Sequence, residues 1–169
     1  MTILAIDPGT TESGFVEWTP EHSKTTEDEF GNVVGAVNFP NFLHFAVMEN
    51  QTLLRLLRAK ERTSVLVIER FACYGMAVGR EVLEACEFVG ECKEAFKAGP
   101  VVLVYRKDIK MHHCGQPKAK DGNIAQALRD KYGDKGTKQA PGFFYGFSSH
   151  TWQAFALAAY VHETGKDKI

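Results

Sequence analysis

Residues 3–15 have the sequence ILAIDPGTTESGF, in which four apolar residues run directly into an acidic one. The apolar run predicts a short strand over residues 2–6 that ends at Asp7, and the following Pro8-Gly9 pair predicts a turn. A second strand is predicted over residues 14–18. The chain is therefore expected to open as a β-hairpin that carries a carboxylate beside its turn.

A second apolar run, TSVLVIE at residues 63–69, ends in the same way at Glu69. It has no polar alternation, which is typical of a central strand covered on both faces. Because α/β sheets commonly display reactive groups at strand ends, Asp7 and Glu69 are expected to meet there. Their hard oxygen ligands suit Mg²⁺ or Mn²⁺, ions that activate water in phosphoryl chemistry.

The rest of the chain alternates between helical and extended patterns. Further strands are predicted over residues 32–39 and 101–105, and helices over residues 41–62, 78–98, 123–132 and 149–163. Irregular structure is predicted for residues 20–31, 115–122 and 134–147. Ser148 or Ser149 suits the N-cap of the last helix, which is apolar almost all round and should lie against the sheet. This order predicts an α/β fold in which helices flank a mixed sheet.

The composition limits the class of protein. With 169 residues, of which 44% are hydrophobic and 24% charged, the chain suits one domain over residues 1–169. The sequence has neither an apolar run long enough to cross a bilayer nor a signal peptide, so we expect a soluble protein of the cytoplasm. Four cysteines in such a protein are expected to be free thiols.

Although the net charge is only −1, residues 106–138 form a basic segment that contains nine lysines and arginines and four aspartates. A surface of this kind can hold a phosphate backbone, although a solvated loop and helix face would have the same composition. The run His112-His113-Cys114 is a weak zinc signal, because neighbours on one strand or turn cannot all face one ion and no CxxC accompanies them.

Both acidic motifs resemble those of a known family. ILAIDPGTTESGF resembles the first motif of the RuvC Holliday-junction resolvases, and VLVIERF at residues 65–71 resembles the second. Residues 104–115 (VYRKDIKMHHCG), 119–128 (AKDGNIAQAL) and 141–160 (PGFFYGFSSHTWQAFALAAY) are similar to the phage-borne members. The resemblance thus spans nearly the whole chain. It implies a ribonuclease H-like fold with a mixed five-stranded sheet, a homodimer, and metal-dependent hydrolysis of DNA at four-way junctions. For a phage protein it also implies the cytoplasm of the bacterial host.

The resemblance also implies a ligand set for Mg²⁺ or Mn²⁺. Asp7, Glu69 and His150 would be metal ligands, and Gln153, three positions further along the last helix, would share a face with His150. We hypothesise that Asp7 bridges two ions beside the scissile phosphate and that Glu69 and His150 complete their coordination.

Gln153 departs from the pattern of cellular resolvases, which have an aspartate at this position. A neutral amide binds Mg²⁺ less strongly than a carboxylate does. Asp121 or Glu163 could compensate for the missing charge, and no spacing argument selects either of them.

Further residues are candidates for DNA contacts. Lys110 matches a family lysine and could contact a phosphate near the cut, as a catalytic residue. The other candidates are Lys118, Lys120, Arg70 and Tyr74. Tyr74 could stack on an unpaired base at the crossover, a role for which Phe71 is less suited because it could equally belong to the core. The apolar face of the 78–98 helix could serve either its own sheet or a partner subunit.

Two other functions fit parts of the sequence. DPGTTESGF also resembles the phosphate-binding turn of actin-like ATPases and sugar kinases, but those proteins need a second phosphate turn and an adenosine motif that the sequence lacks. A junction-binding module that has lost catalysis would explain Gln153. It would not explain why both Asp7 and Glu69 are present.

Overall fold

A computed structural model describes residues 1–20, 22–27, 33–39, 41–60, 64–73, 75 and 77–166, with backbone alone for 22–27 and 33–39. The described strands are β1 (Thr2–Asp7), β2 (Glu12–Thr19), β3 (His22–Glu27), β4 (Val33–Phe39), β5 (Phe42–Glu49), β6 (Ser64–Arg70) and β7 (Val101–Tyr105). The described helices are α1 (Asn50–Arg58), α2 (Arg80–Ala95), α3 (Arg106–Cys114), α4 (Asp121–Tyr132) and α5 (Ser149–Glu163).

Five strands form the mixed central sheet that the sequence predicts, in the order β5-β2-β1-β6-β7. β1 pairs antiparallel with β2, and β2 antiparallel with β5. On the other side, β1 pairs parallel with β6, and β6 parallel with β7. The carboxyl ends of β1, β6 and β7 therefore lie along one edge of the sheet.

Apolar cores cover both faces of this sheet. Alternate residues of β1 and β6 point to opposite faces. Ala5 and Val67 face the core formed with α3, α4 and α5, whereas Ile6 and Ile68 face the core formed with α1 and α2. All residues of α5 from Thr151 to Val161 are buried, which explains why this helix is apolar almost all round.

The prediction of one helix over residues 41–62 is wrong in its first half. Residues 42–49 form β5, which pairs with β2 along its whole length, and α1 begins only at Asn50. The apolar residues of this stretch alternate well enough for a half-buried edge strand, and Leu43 and Phe45 pack toward the α5 side of the sheet. Pairing with β2 therefore outweighs the local helical spacing.

The stretch 20–31, predicted to be irregular, contains β3. This strand pairs antiparallel with β4, and the pair forms a separate two-stranded sheet outside the central one. Strand pairing satisfies backbone groups and does not require apolar side chains, so the polar composition of residues 22–27 hid the strand.

Two helices also differ from expectation. Residues 106–114 form α3, so the placing of His112, His113 and Cys114 on a strand or turn is wrong. The helical spacing of Val78 and Cys86 with Val89 predicts that all three face the core. In the structure Cys86, on α2, and Val78, which precedes α2, are exposed. The buried residues of α2 are Ala85, Phe88, Val89, Cys92 and Ala95. The apolar residues of 78–98 fit two neighbouring stripes along a helix, and the pattern therefore indicated the wrong one as the buried face.

The remaining predictions of local structure are confirmed. The last helix covers residues 149–163 with Ser148 as its N-cap, and residues 134–147 are irregular apart from one isolated bridge between Gly136 and Pro141. The four cysteines are free thiols. Within the described ranges, each helix is too short or too polar to cross a membrane.

Candidate active site

Asp7 and Glu69 come together at the carboxyl ends of two adjacent parallel strands. The register pairs Ile6 with Ile68, so Asp7 and Glu69 occupy the next position on each strand. Since Ile6 and Ile68 face α1 and α2, the alternation directs both carboxylates to the opposite face, where α5 lies. They line one cavity of about 400 Å³.

Buried polar contacts fix the turn that follows Asp7. The Asn50 side-chain amide donates to the carbonyl oxygens of Gly9 and Thr10 at 3.0 and 3.2 Å. Ser13 donates its hydroxyl to the Asn50 Oδ1 at 2.7 Å and accepts from the Gly9 backbone amide. Because Ser13 and Asn50 are both buried, this network holds the end of β1 in place.

The first turn of α5 delivers His150 to the same cavity. His150 Nδ1 lies 2.9 Å from Asp7 Oδ2, within hydrogen-bond distance. The Ser148 backbone amide donates to Thr151 Oγ1 at 2.8 Å, which fixes the start of the helix two residues before His150.

Gly14 makes the close approach of α5 possible. It pairs with Asp7 across β1 and β2, and a Cβ built at this position would lie 2.4 Å from the His150 carbonyl oxygen and 2.8 Å from its Cβ. A side chain there would push α5 away from the sheet at the position where His150 meets Asp7.

We expect Gly14→Ala to lower the free energy of unfolding by about 1–3 kcal/mol, since the added methyl group has no room. Thermal unfolding would measure this effect. Gly90→Ala is the matched control, since a Cβ there meets open space on α2. A Gly14 variant as stable as Gly90→Ala would contradict this packing.

Arg106 enters the site from the end of β7, a role that the sequence analysis did not assign. Its Nη1 donates to Glu69 Oε2 at 3.1 Å, and its Nη2 donates to Asp121 Oδ1 at 2.6 Å. Asp121 is the first residue of α4 and lines the same cavity. One guanidinium group thus joins carboxylates from two different elements.

Burial makes the site unfavourable for its own charges. It raises the pKa of Glu69 to about 6, and the nearby Arg106 only partly opposes this effect. Burial also raises the pKa of Asp7, against the hydrogen bond from His150 and the charge of Arg106. The Asp7 charge further raises the pKa of Glu69, and the Asp121 charge raises the pKa of both Asp7 and Glu69, so a cation placed among these carboxylates would stabilise their charged forms.

Gln153 lines the cavity one turn after His150. It is 7% exposed, and its Oε1 is buried without a hydrogen-bond partner in the described part of the chain. Buried side-chain oxygens are normally satisfied, so a partner that the protein itself does not supply, such as a cation or its water, fits here. Two carboxylates, an imidazole and an amide oxygen form a donor set that suits a divalent ion.

Comparison with solved structures identifies the fold. The chain superposes on Thermus thermophilus RuvC with a TM-score of 0.53 at 19% identity, over 98% of this chain and 97% of that one. For T. thermophilus RuvC in complex with a Holliday junction substrate, the TM-score is 0.56 at 19% identity, over 98% and 95%. This chain has the RuvC fold. The fowlpox virus Holliday junction resolvase has a TM-score of 0.51 at 11% identity, over 97% and 99%.

Comparison by sequence gives no match. No protein-family model matches the chain, and no curated protein matches it. The likeness to the RuvC structures is therefore one of fold, and the assignment of residues depends on the site itself.

The predicted DNA-binding residues differ in their exposure and in their position relative to the cavity. Lys120 is exposed and precedes Asp121, Lys118 is exposed between α3 and α4, and Lys110 lies on α3 outside the cavity lining. Arg70 follows Glu69, and its guanidinium lies 5.3 Å from the centre of the Tyr105 ring. Phe71 packs against the α1 and α2 core, whereas Tyr74 lies outside the described residues.

Glu163, the other acid considered as a replacement for the missing charge, belongs to a separate cluster at the far end of α5. Its carboxylate accepts hydrogen bonds from Tyr132 and pairs with Lys131 and His112, both at 2.7 Å. The nearby His113 Nε2 contacts the Ala156 carbonyl oxygen at 3.0 Å. These contacts join α3, α4 and α5.

Proposed function

We propose that this chain is a divalent-metal-dependent endonuclease that cuts four-way DNA junctions. The observation that carries the proposal is the convergence of Asp7, Glu69 and His150 on one cavity at the carboxyl edge of the sheet. It is supported by the fold shared with T. thermophilus RuvC, one structure of which holds a Holliday junction substrate.

Mg²⁺ or Mn²⁺ is the cofactor we propose, held by Asp7, Glu69, His150 and Gln153. Such ions, when bound, generate a water nucleophile and stabilise charge on a phosphate and its leaving oxygen. Burial raises the pKa values of Asp7 and Glu69, so their charged forms are unfavourable in the metal-free protein and would be stabilised by a bound cation. His150 orients the Asp7 carboxylate through the 2.9 Å contact.

DNA would approach the open side of the cavity. Lys118 and Lys120 are exposed beside it, on the connection that leads to Asp121, and Arg70 is exposed next to Glu69. We propose that these cations and Lys110 hold the phosphate backbone. If they do, the affinity for DNA should fall steeply as the salt concentration rises.

The test is a cleavage assay on synthetic four-way, three-way, flap and linear DNAs with Mg²⁺, Mn²⁺ or chelator. The proposal requires metal-dependent nicks in the four-way junction, paired across its symmetry axis, and little cutting of the linear duplex. Equal cutting of all substrates would reject a junction resolvase in favour of a general nuclease. Binding without cutting in either metal would favour a non-catalytic junction-binding module.

A homodimer is also part of the proposal, because two symmetric cuts require two sites at a fixed distance. α2 packs Phe88 and Cys92 on its own sheet, and on its outer side Leu83 is 55% exposed and the preceding Val78 is 43% exposed. This exposed apolar surface suits contact with a second copy.

We expect Leu83→Glu to convert a dimer to a monomer in sedimentation at micromolar concentration, since a charge would be buried in the interface. Val47→Glu is the matched control, because Val47 is 41% exposed on the edge strand β5, away from α2. A wild-type monomer, or equal loss of dimer in both variants, would reject α2 as the interface.

A further inference from the structure

We infer that Asp121 is a further carboxylate ligand of the proposed metal site and that Arg106 holds its place when no cation is bound. This inference rests on the proposed function. It gives the site a third acid, from a different helix, where Gln153 provides only a neutral amide.

Geometry selects Asp121 from the two acids that the sequence left open. Asp121 lines the same cavity as Asp7, Glu69 and Gln153, whereas Glu163 is engaged with Lys131 and Tyr132. A single guanidinium reaches both Glu69 and Asp121, so the two carboxylates lie within the span of one small cationic group.

The backbone at Asp121 is fixed while its side chain is accessible. Ile124 and Leu128 of α4 are fully buried in the core, and the Lys120 amide donates to Asn123 Oδ1 at 2.9 Å at the start of the helix. The Asp121 side chain is 61% exposed. It can therefore turn toward a bound ion without unpacking α4.

The buried Gln153 Oε1 provides an independent sign of a missing partner in this cavity. Arg106 donates to Glu69 and Asp121 on one side of the cavity, and it leaves the amide oxygen of Gln153 unsatisfied. A divalent ion with its water shell could satisfy Gln153 and the carboxylates together. It would replace Arg106 as the partner of Glu69 and Asp121, and the guanidinium would be released toward the open side.

Calorimetric titration of the 169-residue chain with Mn²⁺ tests this without any DNA or activity. We expect Asp121→Asn to weaken Mn²⁺ binding about tenfold or more. Asp130→Asn is the matched control, since Asp130 lies on the same helix and bonds only locally to Gln126, and its affinity should equal that of the wild type. Arg106→Met should tighten Mn²⁺ binding, because a competing cation is removed. Circular dichroism would establish that each variant is folded.

Asp7→Asn separates the two ideas. If it weakens Mn²⁺ binding while Asp121→Asn binds like the wild type, the proposed site stands and the role of Asp121 is rejected. If neither change affects Mn²⁺ binding, the proposed metal site itself is rejected, and Asp121 with it. Weaker binding by Arg106→Met would overturn the place-holding role, since it would mean that Arg106 supports the site and does not compete for it.

Discussion

Asp7→Asn is expected to lower the rate of junction cleavage by about 10²–10³-fold while leaving junction binding intact. Asp7 stands at the centre of the site, next to Glu69 in the strand register and 2.9 Å from His150. The amide keeps the shape of the side chain and removes the charge that would hold a cation, and loss of one preorganised electrostatic group costs about 10²–10³ in rate. Single-turnover cleavage and gel-shift titration on the same junction measure the two quantities.

Stability distinguishes this loss from unfolding. Burial raises the pKa of Asp7, which means that its charge is unfavourable in the metal-free fold, so Asp7→Asn should unfold in chelator at a temperature no lower than the wild type. Asp130→Asn, an exposed acid on α4, is the control and should cut normally. Normal cutting by Asp7→Asn in Mg²⁺ would remove Asp7 from the reaction.

The central strands were predictable because their signals are local. In β1 and β6 an apolar run ends abruptly at an acid, and these runs are the buried strands of the sheet. β5 was missed because the apolar spacing of residues 42–49 also fits a helix, and its pairing with β2 involves residues about 30 positions away in the sequence. Local patterns cannot decide between two such structures when a long-range partner does.

The candidate site was predictable to a similar degree. Asp7 and Glu69 follow from the rule that parallel strands end at one edge, and His150 followed from the resemblance. Arg106 obeys the same rule, since it directly follows β7, but a basic residue at the end of a strand is not by itself a signal for a cation site. The choice of Asp121 over Glu163 depends on how α4 packs against α3 and α5, which spacing along the chain does not reveal.

Glu69→Gln is expected to change activity and stability in opposite directions. The pKa of Glu69 is raised to about 6 from an ordinary value of 4.5, chiefly by burial. Because the pKa of Glu69 is higher in the folded protein, the protonated side chain stabilises the metal-free fold below pH 4.5. This contribution, about 2 kcal/mol, is lost as the pH rises through 6. At pH 8 the neutral Gln variant should therefore unfold about 4–8 °C higher in chelator. Its junction cleavage should fall by about 10³-fold.

Glu163→Gln is the matched control because the pKa of the Glu163 carboxyl is shifted in the opposite direction from that of Glu69. Although burial alone would raise the pKa of Glu163, hydrogen bonds from Lys131, Tyr132 and His112 lower it to about 2. Its stabilisation is present above pH 4.5 and is lost only as the pH falls toward 2, so Glu163→Gln should unfold at a lower temperature at pH 8 and still cut junctions below that temperature. If Glu69→Gln destabilised the metal-free protein as Glu163→Gln does, the Glu69 carboxylate would be a structural partner of Arg106. It would then not be a metal ligand whose charge is unfavourable until a cation binds.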